Sequence, residues 1–336
     1  MDFLENICLK TNDHIKDSTK YNYYFGIKYS NGVLELKHDS EPIKSDVDIK
    51  EYDVYVCKTD EINVLTYNVF FKNMKFKKNR ENVANFIDNV YLNFHFIAFQ
   101  EPACSQKIID ESIKLQKMGK IHWVPGSFTL DARYNTDGLV TGVNTTEMLL
   151  FYDKERFELK HYVLGYLYDY DRKSSTLRHS RGRPYILGIF EFKNKIENSS
   201  PLCFINIHQG HGSAANIIMS INQIFKDINN RSSEILSGDD RHVRSSSTST
   251  IIEELKKCKF ILAGDLNKNT DDFYINFGDI SIKMNNYNKT RVQTNTGVVR
   301  DHIFSSNDTS IEATYPTVPN ASDHNPVYSV IKPKPN

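Results

Sequence analysis

The sequence lacks the features that mark secreted, membrane-spanning or disulfide-stapled proteins. No run of about 18 apolar residues occurs in it, so no membrane-spanning helix is predicted. The first residues, MDFLENICLKTNDHIKD, include acidic side chains and lack the apolar run of a signal peptide. The five cysteines form no C-x-x-C pair, and their odd number favours a reduced protein. We therefore expect an intracellular protein, cytoplasmic or nuclear, without a signal peptide or transmembrane segment.

The chain also lacks net charge. Its 42 basic and 42 acidic side chains give a formal net charge of zero. A neutral molecule has no overall field that attracts polyanions, so any binding of phosphate or nucleic acid must come from a local cluster of charge. Disorder is not expected as the dominant state, because 39% of the residues are hydrophobic and 12% are aromatic.

The amino-terminal segment has the pattern of β-strands. Residues 21–38 alternate β-forming side chains around Asn31-Gly32, a pair that tolerates the positive φ angles of a tight hairpin turn. We therefore predict a small β-rich extension over residues 1–60. No base-stacking motif in this segment is specific enough to name a substrate.

The rest of the chain has the pattern of a larger α/β domain. Short apolar runs alternate with polar or helical stretches, such as residues 80–90 and 106–117. This alternation predicts a layered α/β sandwich that follows the extension. Within it, residues 231–250 are rich in serine and mixed in charge, so we expect a surface insertion there.

Polar side chains stand at the ends of the apolar runs in this domain. Five of them end or follow a run: Asn68, Glu101, His208, Asp265 and Asn267. Three more lie before or near a run: Asp301, Asp323 and His324. Strand ends hold side chains rigidly beside open loops, so such a rim predicts an active site.

Each of these motifs has a structural explanation when it is taken alone. The segment Gly264-Asp265-Leu266-Asn267 can be a strand-ending turn, because Asp and Asn side chains bond to nearby backbone. Ser322-Asp323 can cap a helix or form a turn. A single histidine on an apolar run, such as His208, is more often a core residue than a catalyst. The complete ordered series favours function over these separate explanations.

The order of the motifs resembles the endonuclease/exonuclease/phosphatase superfamily, to which deoxyribonuclease I belongs, over roughly residues 61–332. The motifs that carry the resemblance are an early strand ending in Asn68, Gln100-Glu101, Asn206-x-His208, Gly264-Asp265-Leu266-Asn267, Asp301-x-Ile303 and Ser322-Asp323-His324-x-Pro326-Val327. The resemblance implies a four-layer α/β/β/α sandwich. It also implies hydrolysis of a phosphoester assisted by Mg²⁺ or Mn²⁺.

The resemblance assigns a metal site to three of these residues. Glu101 is expected to supply the main ligand, while Asn68 and Asp323 contact the ion directly or through water. Carboxylate, amide and water oxygens are the ligands that Mg²⁺ prefers.

The remaining residues receive catalytic roles. Asp265 is expected to activate the attacking water, and Asn267 to position that water or the phosphate. His324, held in its tautomer by Asp301, and His208 are expected to stabilise the charge that builds on the phosphoryl oxygens.

Two arginines are candidates for binding the substrate phosphate. Arg181 and Arg183 precede an apolar run, where members of the family often carry an arginine. Together their guanidinium groups can form a bidentate clamp. A solvated pair on a loop is an equally good explanation.

The fold alone does not identify the substrate. Inositol phosphatases of this superfamily usually carry Trp-Cys-Asp-Arg where this chain reads Val299-Arg300-Asp301-His302, which disfavours that branch. The leading prediction is a phosphodiesterase or nuclease acting on a nucleic acid or nucleotide. A phosphatase or sphingomyelinase-like phospholipase is the alternative, and a non-catalytic binding module is the third possibility. No obligate protein partner is predicted.

Overall fold

The computed structural model of the chain describes residues 7–10, 22–28, 34–38, 52–57, 62–89, 94–103, 105–123, 147–171, 176–193, 200–210, 213–230, 243–244, 247–286, 299–306 and 321–331. The strands within them are β1 (Ile7–Lys10), β2 (Asn22–Lys28), β3 (Leu34–His38), β4 (Tyr52–Cys57), β5 (Ile62–Asn68), β6 (Phe96–Gln100), β7 (Gly119–Trp123), β8 (Met148–Tyr152), β9 (Phe157–Asp171), β10 (Thr176–Phe192), β11 (Leu202–His208), β12 (Val243–Arg244), β13 (Lys259–Asp265), β14 (Phe273–Phe277), β15 (Ile280–Asn286), β16 (Asp301–Ser305) and β17 (Val327–Ile331). The helices are α1 (Phe71–Met74), α2 (Lys77–Asn89), α3 (Ser105–Glu111), α4 (Ile113–Lys117), α5 (Ala214–Asn230) and α6 (Thr248–Leu255).

The amino-terminal strands form a four-stranded antiparallel sheet in the order β1-β4-β2-β3. Lys28 of β2 is paired with Leu34 of β3, on either side of the predicted Asn31-Gly32 turn. The turn itself lies outside the described residues. The division of the chain into an extension over 1–60 and a domain over 61–332 stays a prediction.

A second sheet has five strands in the order β17-β5-β6-β8-β7. β5 and β6 are parallel, with Asn68 level with Gln100. Parallel neighbours need a crossover, which the segment containing α2 supplies. β17 runs antiparallel to β5, with Val327 opposite Thr66. The carboxyl ends of β5 and β6 and the start of β17 therefore lie at one edge of this sheet.

The third sheet has eight strands in the order β12-β9-β10-β11-β13-β16-β15-β14. β11 and β13 are parallel, with His208 opposite Asp265. β16 runs antiparallel to β13, and its first residue, Asp301, is also opposite Asp265. Two strand ends and one strand start thus meet at one edge of this sheet as well.

Three buried clusters join these elements into layers. Between the two larger sheets, the rings of Phe96 and Phe204 stack with centroids 4.8 Å apart. Helices α5 and α6 cover the eight-stranded sheet, where Phe225 packs against Phe260. Helices α2, α3 and α4 cover the five-stranded sheet through a cluster that includes Val83. The predicted four-layer α/β/β/α sandwich is confirmed.

Buried polar side chains also connect the two larger sheets. Gln100 Nε2 donates to Asn206 Oδ1 at 2.8 Å and to Thr66 Oγ1 at 3.0 Å. Asn206 Nδ2 in turn donates to the carbonyl oxygens of Phe99 at 3.2 Å and Leu149 at 2.8 Å. A buried polar group left without its bond costs about 1–3 kcal/mol, so this network specifies one relative placement of the sheets.

The structure divides one of the stretches identified as polar or helical. Over residues 106–117 the chain forms two helices, α3 and α4, with Ser112 between them. Ser112 Oγ caps α4 by accepting a hydrogen bond from Leu115 N at 3.2 Å. The same hydroxyl donates to Asp88 Oδ1 of α2 at 2.6 Å, which fixes the break from outside the segment.

The predicted serine-rich insertion is described only in its last part. Residues 231–242 lie outside the described residues, while Val243 and Arg244 pair with Leu164 and Val163 of β9. Ser247 then caps α6, accepting from Thr250 N at 3.3 Å. In the part of the chain described here, no helix has both the length and the apolar character needed to cross a bilayer.

Candidate active site

The polar residues singled out in the sequence lie along the edge at which the ends of both larger sheets meet. Asn68 ends β5, Glu101 follows β6, His208 ends β11, Asp265 ends β13, Asp301 begins β16, and Asp323 and His324 lie in the turn before β17. The topology therefore assembles side chains that are far apart in the sequence.

Asp265 lies at the centre of this edge and is buried. Its Oδ1 accepts a hydrogen bond from Asn267 N at 2.7 Å, and its Oδ2 accepts one from Asn68 Nδ2 at 3.0 Å. The second bond crosses from one sheet to the other. Burial and the nearby negative charge of Asp301 raise the pKa of Asp265 to about 6, because both disfavour the ionised carboxylate.

His324 is held between carboxylates. Its Nδ1 lies 2.7 Å from Asp301 Oδ2, and its Nε2 lies 3.8 Å from Asp265 Oδ2 and 4.0 Å from Asp323 Oδ1. Burial lowers the pKa of His324, but the three negative charges outweigh burial and raise the pKa to about 10. The imidazole is therefore a cation in this arrangement, with Asp301 fixing its orientation.

Ser322 anchors the turn that carries His324. Its Oγ donates to the carbonyl oxygen of Asn68 at 2.6 Å and accepts from His324 N at 3.0 Å. One hydroxyl thus joins the end of β5 to the turn before β17. The motif Ser322-Asp323-His324 suggested a capping serine, but not its partner on the first strand of the domain.

His208 lies beside Glu101 and Arg183. Its Nε2 is 3.3 Å from Glu101 Oε1, 3.7 Å from Asp265 Oδ2 and 2.8 Å from Arg183 Nη1. A guanidinium group only donates hydrogen bonds, so the contact with Arg183 requires Nε2 to be the acceptor. The structure thus brings Arg183 to the site, whereas the side chain of Arg181 lies outside the described residues.

A second loop contact holds Asn267. Its Nδ2 donates to the carbonyl oxygen of Gln209 at 2.7 Å, and Gln209 N donates to the carbonyl oxygen of Asp265 at 2.8 Å. The loops after β11 and β13 are therefore bonded to each other. Sequence reasoning missed Gln209, because its contacts are made by its backbone and leave no side-chain pattern.

Backbone strain is concentrated at the same edge. Among the described residues, the non-glycine positions with positive φ are Phe70 at 57°, Glu101 at 53° and Asn267 at 55°. Each lies one or two residues beyond the end of β5, β6 or β13. Such conformations cost about 1–3 kcal/mol each and collect at functional sites, where the surrounding structure maintains them.

The donor atoms at this edge fit a hard divalent cation. Asp265 and Asp301 present carboxylate oxygens that lie within 4.8 Å of each other and of a ring nitrogen of His324. Asp323 Oδ1 is shielded from solvent and accepts no hydrogen bond from any described residue. Carboxylate oxygens suit Mg²⁺ or Mn²⁺, and a cation here would offset the repulsion between buried carboxylates. The residues can therefore bind a metal ion.

His302 supports the site from the opposite side of β16. Its Nε2 lies 3.0 Å from the carbonyl oxygen of Lys268, and its Nδ1 lies 3.3 Å from Asn286 Nδ2. Both contacts suit a neutral ring, and burial lowers the pKa of His302 to about 4. His302 thus fixes the backbone at Lys268, the residue after Asn267. Strand alternation predicts that it faces away from Asp301, but no sequence pattern identifies Asn286 as its partner.

No protein-family sequence model matches the chain, and no curated protein sequence matches it. The chain is nevertheless similar to solved structures. One is the human Nocturnin catalytic domain with a bound sulfate anion, which is 14% identical; the similarity covers 81% of this chain and 94% of that one, with a TM-score of 0.53. Another is an endonuclease/exonuclease/phosphatase from Bacteroides vulgatus, which is 16% identical; the similarity covers 82% of this chain and 99% of that one, with a TM-score of 0.50. As the order of its motifs implied, the chain has the fold of the endonuclease/exonuclease/phosphatase superfamily.

Proposed function

We propose that the protein is a divalent-metal-dependent phosphodiesterase that hydrolyses a phosphoester in a nucleic acid or nucleotide. The observation that carries this proposal is the convergence of Asp265, Asp301 and His324 at one edge of a sandwich with this fold. Glu101 and His208 lie directly beside this group. A base, an acid and acidic metal ligands together suit the attack of water on phosphorus.

Acidic side chains along the edge would hold Mg²⁺ or Mn²⁺. We assign Glu101 and Asp323 as ligands, with the amide oxygen of Asn68 as a further ligand. Asn68 Oδ1 already accepts from Phe70 N at 3.0 Å, so its second lone pair would serve this role. When bound, the ion would neutralise charge on the phosphate and polarise a phosphoryl oxygen.

Asp265 is the proposed base for the attacking water. Asn68 and Asn267 hold its two oxygens, which fixes the direction of the carboxylate. A pKa raised to about 6 by burial is close to neutral pH, where a base is most effective. Asn267 acts through its hold on Asp265, while its amide oxygen can also orient water or phosphate.

His324 and His208 are the proposed hydrogen-bond donors to the reacting phosphate. The cationic His324 directs Nε2 toward the site because Asp301 holds its Nδ1. It can stabilise the growing negative charge and protonate the leaving oxygen. Once Arg183 turns to a substrate phosphate, Nε2 of His208 becomes able to take a proton and donate in the same way. Arg181 remains a candidate for the second half of the phosphate clamp.

A substrate panel tests the proposed class of reaction. Labelled single-stranded DNA, RNA, cyclic dinucleotides, a phosphomonoester, phosphoinositides and sphingomyelin would each be incubated with Mg²⁺, with Mn²⁺ or with EDTA. We expect cleavage of nucleic-acid or nucleotide phosphodiesters only when a divalent ion is present. Release of phosphate or phosphocholine from the other substrates alone would support the phosphatase or phospholipase alternative. Binding without any hydrolysis would support the binding module.

A further inference from the structure

The turn between α1 and α2 carries a local excess of positive charge in a neutral protein. Residues 69–80 contain lysine at positions 72, 75, 77 and 78 and arginine at position 80, and contain no acidic residue. Lys72, Lys77 and Lys78 are exposed, while Lys75 is half-buried. The nearest acidic neighbour in the sequence, Glu81, lies 3.4 Å from Lys77 Nζ. We call residues 72–78 the basic turn.

An exposed aromatic ring lies in the basic turn. Phe76 is 53% exposed, although a phenylalanine side chain is usually buried. The ammonium nitrogen of Lys75 lies 4.7 Å from the centroid of its ring. The turn thus presents an exposed aromatic ring with one cation over it and further lysines nearby in the sequence, a combination that suits the bases and phosphates of a single strand.

The topology places the basic turn at the edge that carries the site. α2 lies on the crossover from the carboxyl end of β5 to the amino end of β6, so its first residues lie near the carboxyl end of β5. α1 begins three residues after Asn68, and Phe70 N donates to Asn68 Oδ1 at 3.0 Å. The turn therefore follows directly from a residue of the site.

The basic turn is also held in one conformation. The buried Arg80 donates from Nη1 to the carbonyl oxygens of Met74 at 2.8 Å and Lys75 at 3.0 Å. Asn79 Nδ2 donates to the carbonyl oxygen of Asn73 at 3.1 Å. A fixed backbone lowers the entropy lost when a ligand binds, so Phe76 is presented as a preformed surface.

We propose that the basic turn binds single-stranded nucleic acid beside the phosphate that is cleaved. Phe76 stacks on an unpaired base, and Lys72, Lys75 and Lys78 contact backbone phosphates. This inference rests on the proposed function and narrows it to a substrate that extends beyond the scissile phosphate. A single strand is favoured because its bases expose their faces, whereas a duplex covers them.

Binding to a labelled single-stranded oligonucleotide tests the proposal. All proteins carry Asp265→Asn to suppress cleavage, Mg²⁺ is present, and fluorescence anisotropy reports Kd. We expect Phe76→Ala to weaken binding on the order of tenfold, as the loss of one stacked base does, while Phe76→Trp keeps the affinity. Tyr274→Ala is the matched control, because Tyr274 is also 53% exposed but lies on β14. An unchanged Kd for Phe76→Ala would overturn the proposal.

The lysines are tested by salt dependence. The logarithm of the association constant falls as the logarithm of the salt concentration rises. Replacing Lys72, Lys75 and Lys78 by glutamine should make this slope less steep by about 2, because single strands release about 0.7 counterion per phosphate contact. Replacing Lys256 and Lys257, which lie beyond α6, should leave the slope unchanged. An unchanged slope for the triple variant would contradict the phosphate contacts. Phe76-dependent binding to phosphatidylserine vesicles, without binding to the oligonucleotide, would replace nucleic acid by a membrane as the ligand.

The failure of this binding surface can be distinguished from the failure of the proposed function. If no substrate is hydrolysed but Phe76 still determines oligonucleotide affinity, the proposed function is wrong and the binding surface is supported. If oligonucleotides are hydrolysed but Phe76→Ala changes neither Kd nor KM, the proposed function is supported and the surface is refuted.

Discussion

Asp301 illustrates how one buried carboxylate can control the charge of a neighbouring histidine, His324, the proposed hydrogen-bond donor to the phosphate. Its Oδ2 lies 2.7 Å from His324 Nδ1 and its charge helps to raise the pKa of His324 to about 10. Asp301→Asn keeps the size of the side chain but removes this charge. We expect kcat to fall at least about 100-fold with little change in KM, because the proposed role of the histidine is to stabilise the transition state.

The pH profile provides a second readout for Asp301→Asn. Without the negative charge the pKa of His324 falls, so the cationic form is lost at lower pH. The alkaline limb of the kcat profile should therefore move to lower pH in the variant. An unchanged profile would show that Asp301 does not act through the charge of His324.

His302 should make the stability of the fold sensitive to acid. Its pKa is about 4 in the folded chain because burial disfavours the cation, against about 6.5 in the unfolded chain. Below about pH 6.5 the unfolded chain therefore binds the proton first, and stability falls until the pH reaches about 4. We expect wild-type protein to lose about 2 kcal/mol through this histidine between about pH 7 and pH 5.

Urea unfolding at these two pH values checks the prediction, with His302→Gln as the comparison. The buried His95, whose pKa is also lowered by burial, contributes with the same sign to both proteins. The difference between their pH dependences therefore isolates His302. Equal losses of unfolding free energy in both proteins would contradict the prediction.

At the scale of elements, the packing of β11 against β13 depends on a glycine. Gly264 has a φ of 149°, and a Cβ built on it would lie 1.9 Å from the carbonyl oxygen of Ile207. The clash is with backbone, so it cannot be relieved by rotation of a side chain. We expect Gly264→Ala to lower the free energy of unfolding by about 3 kcal/mol or more.

Gly278→Ala is the control for this prediction. Gly278 also has a positive φ, 55°, but a Cβ there would meet no atom within 4 Å. Its replacement should cost only the backbone term of about 1 kcal/mol. Urea denaturation of both variants measures the difference, and similar losses would indicate that the close approach to β11 is unimportant.

The elements differ in how far the sequence predicts them. β5, β6 and β11 are mostly apolar segments, buried at every position, that end in a polar residue, so both the strand and its approximate end were predictable. The break between α3 and α4 was not predictable, because it depends on Asp88 of α2, which accepts hydrogen bonds from Ser112 Oγ and Ile113 N. A contact between distant segments leaves no mark in local periodicity.

At the scale of the whole molecule, the sequence motifs predict which residues gather at this edge better than they predict the contacts between them. The motif order placed Asn68, Glu101, Asp265 and His324 together, and the topology brings their strand ends to one edge. The hydrogen bond from Asn68 to Asp265, which joins the sheets, could not be deduced from spacing. Sequence reasoning also gave no indication that Arg183 contacts the imidazole of His208.

The placement of charge explains how a protein without net charge could bind a polyanion. The chain has 42 basic and 42 acidic residues, yet Glu101, Asp265, Asp301 and Asp323 lie at one edge and four lysines lie in the neighbouring basic turn. The metal ion and the basic turn would together attract the phosphates that the buried carboxylates repel. Neutrality of the whole chain is therefore compatible with a polyanionic substrate.

The central claim is that water activated by Asp265 hydrolyses a phosphodiester with the help of a divalent ion. Its most direct test compares the cleavage of a labelled oligonucleotide by wild-type protein and Asp265→Asn across a Mg²⁺ titration, with urea unfolding to verify that the variant is folded. We predict Mg²⁺-dependent cleavage by the wild type and a rate at least about 100-fold lower for the folded variant. Equal rates for the two proteins, or wild-type cleavage that persists in EDTA, would contradict the claim.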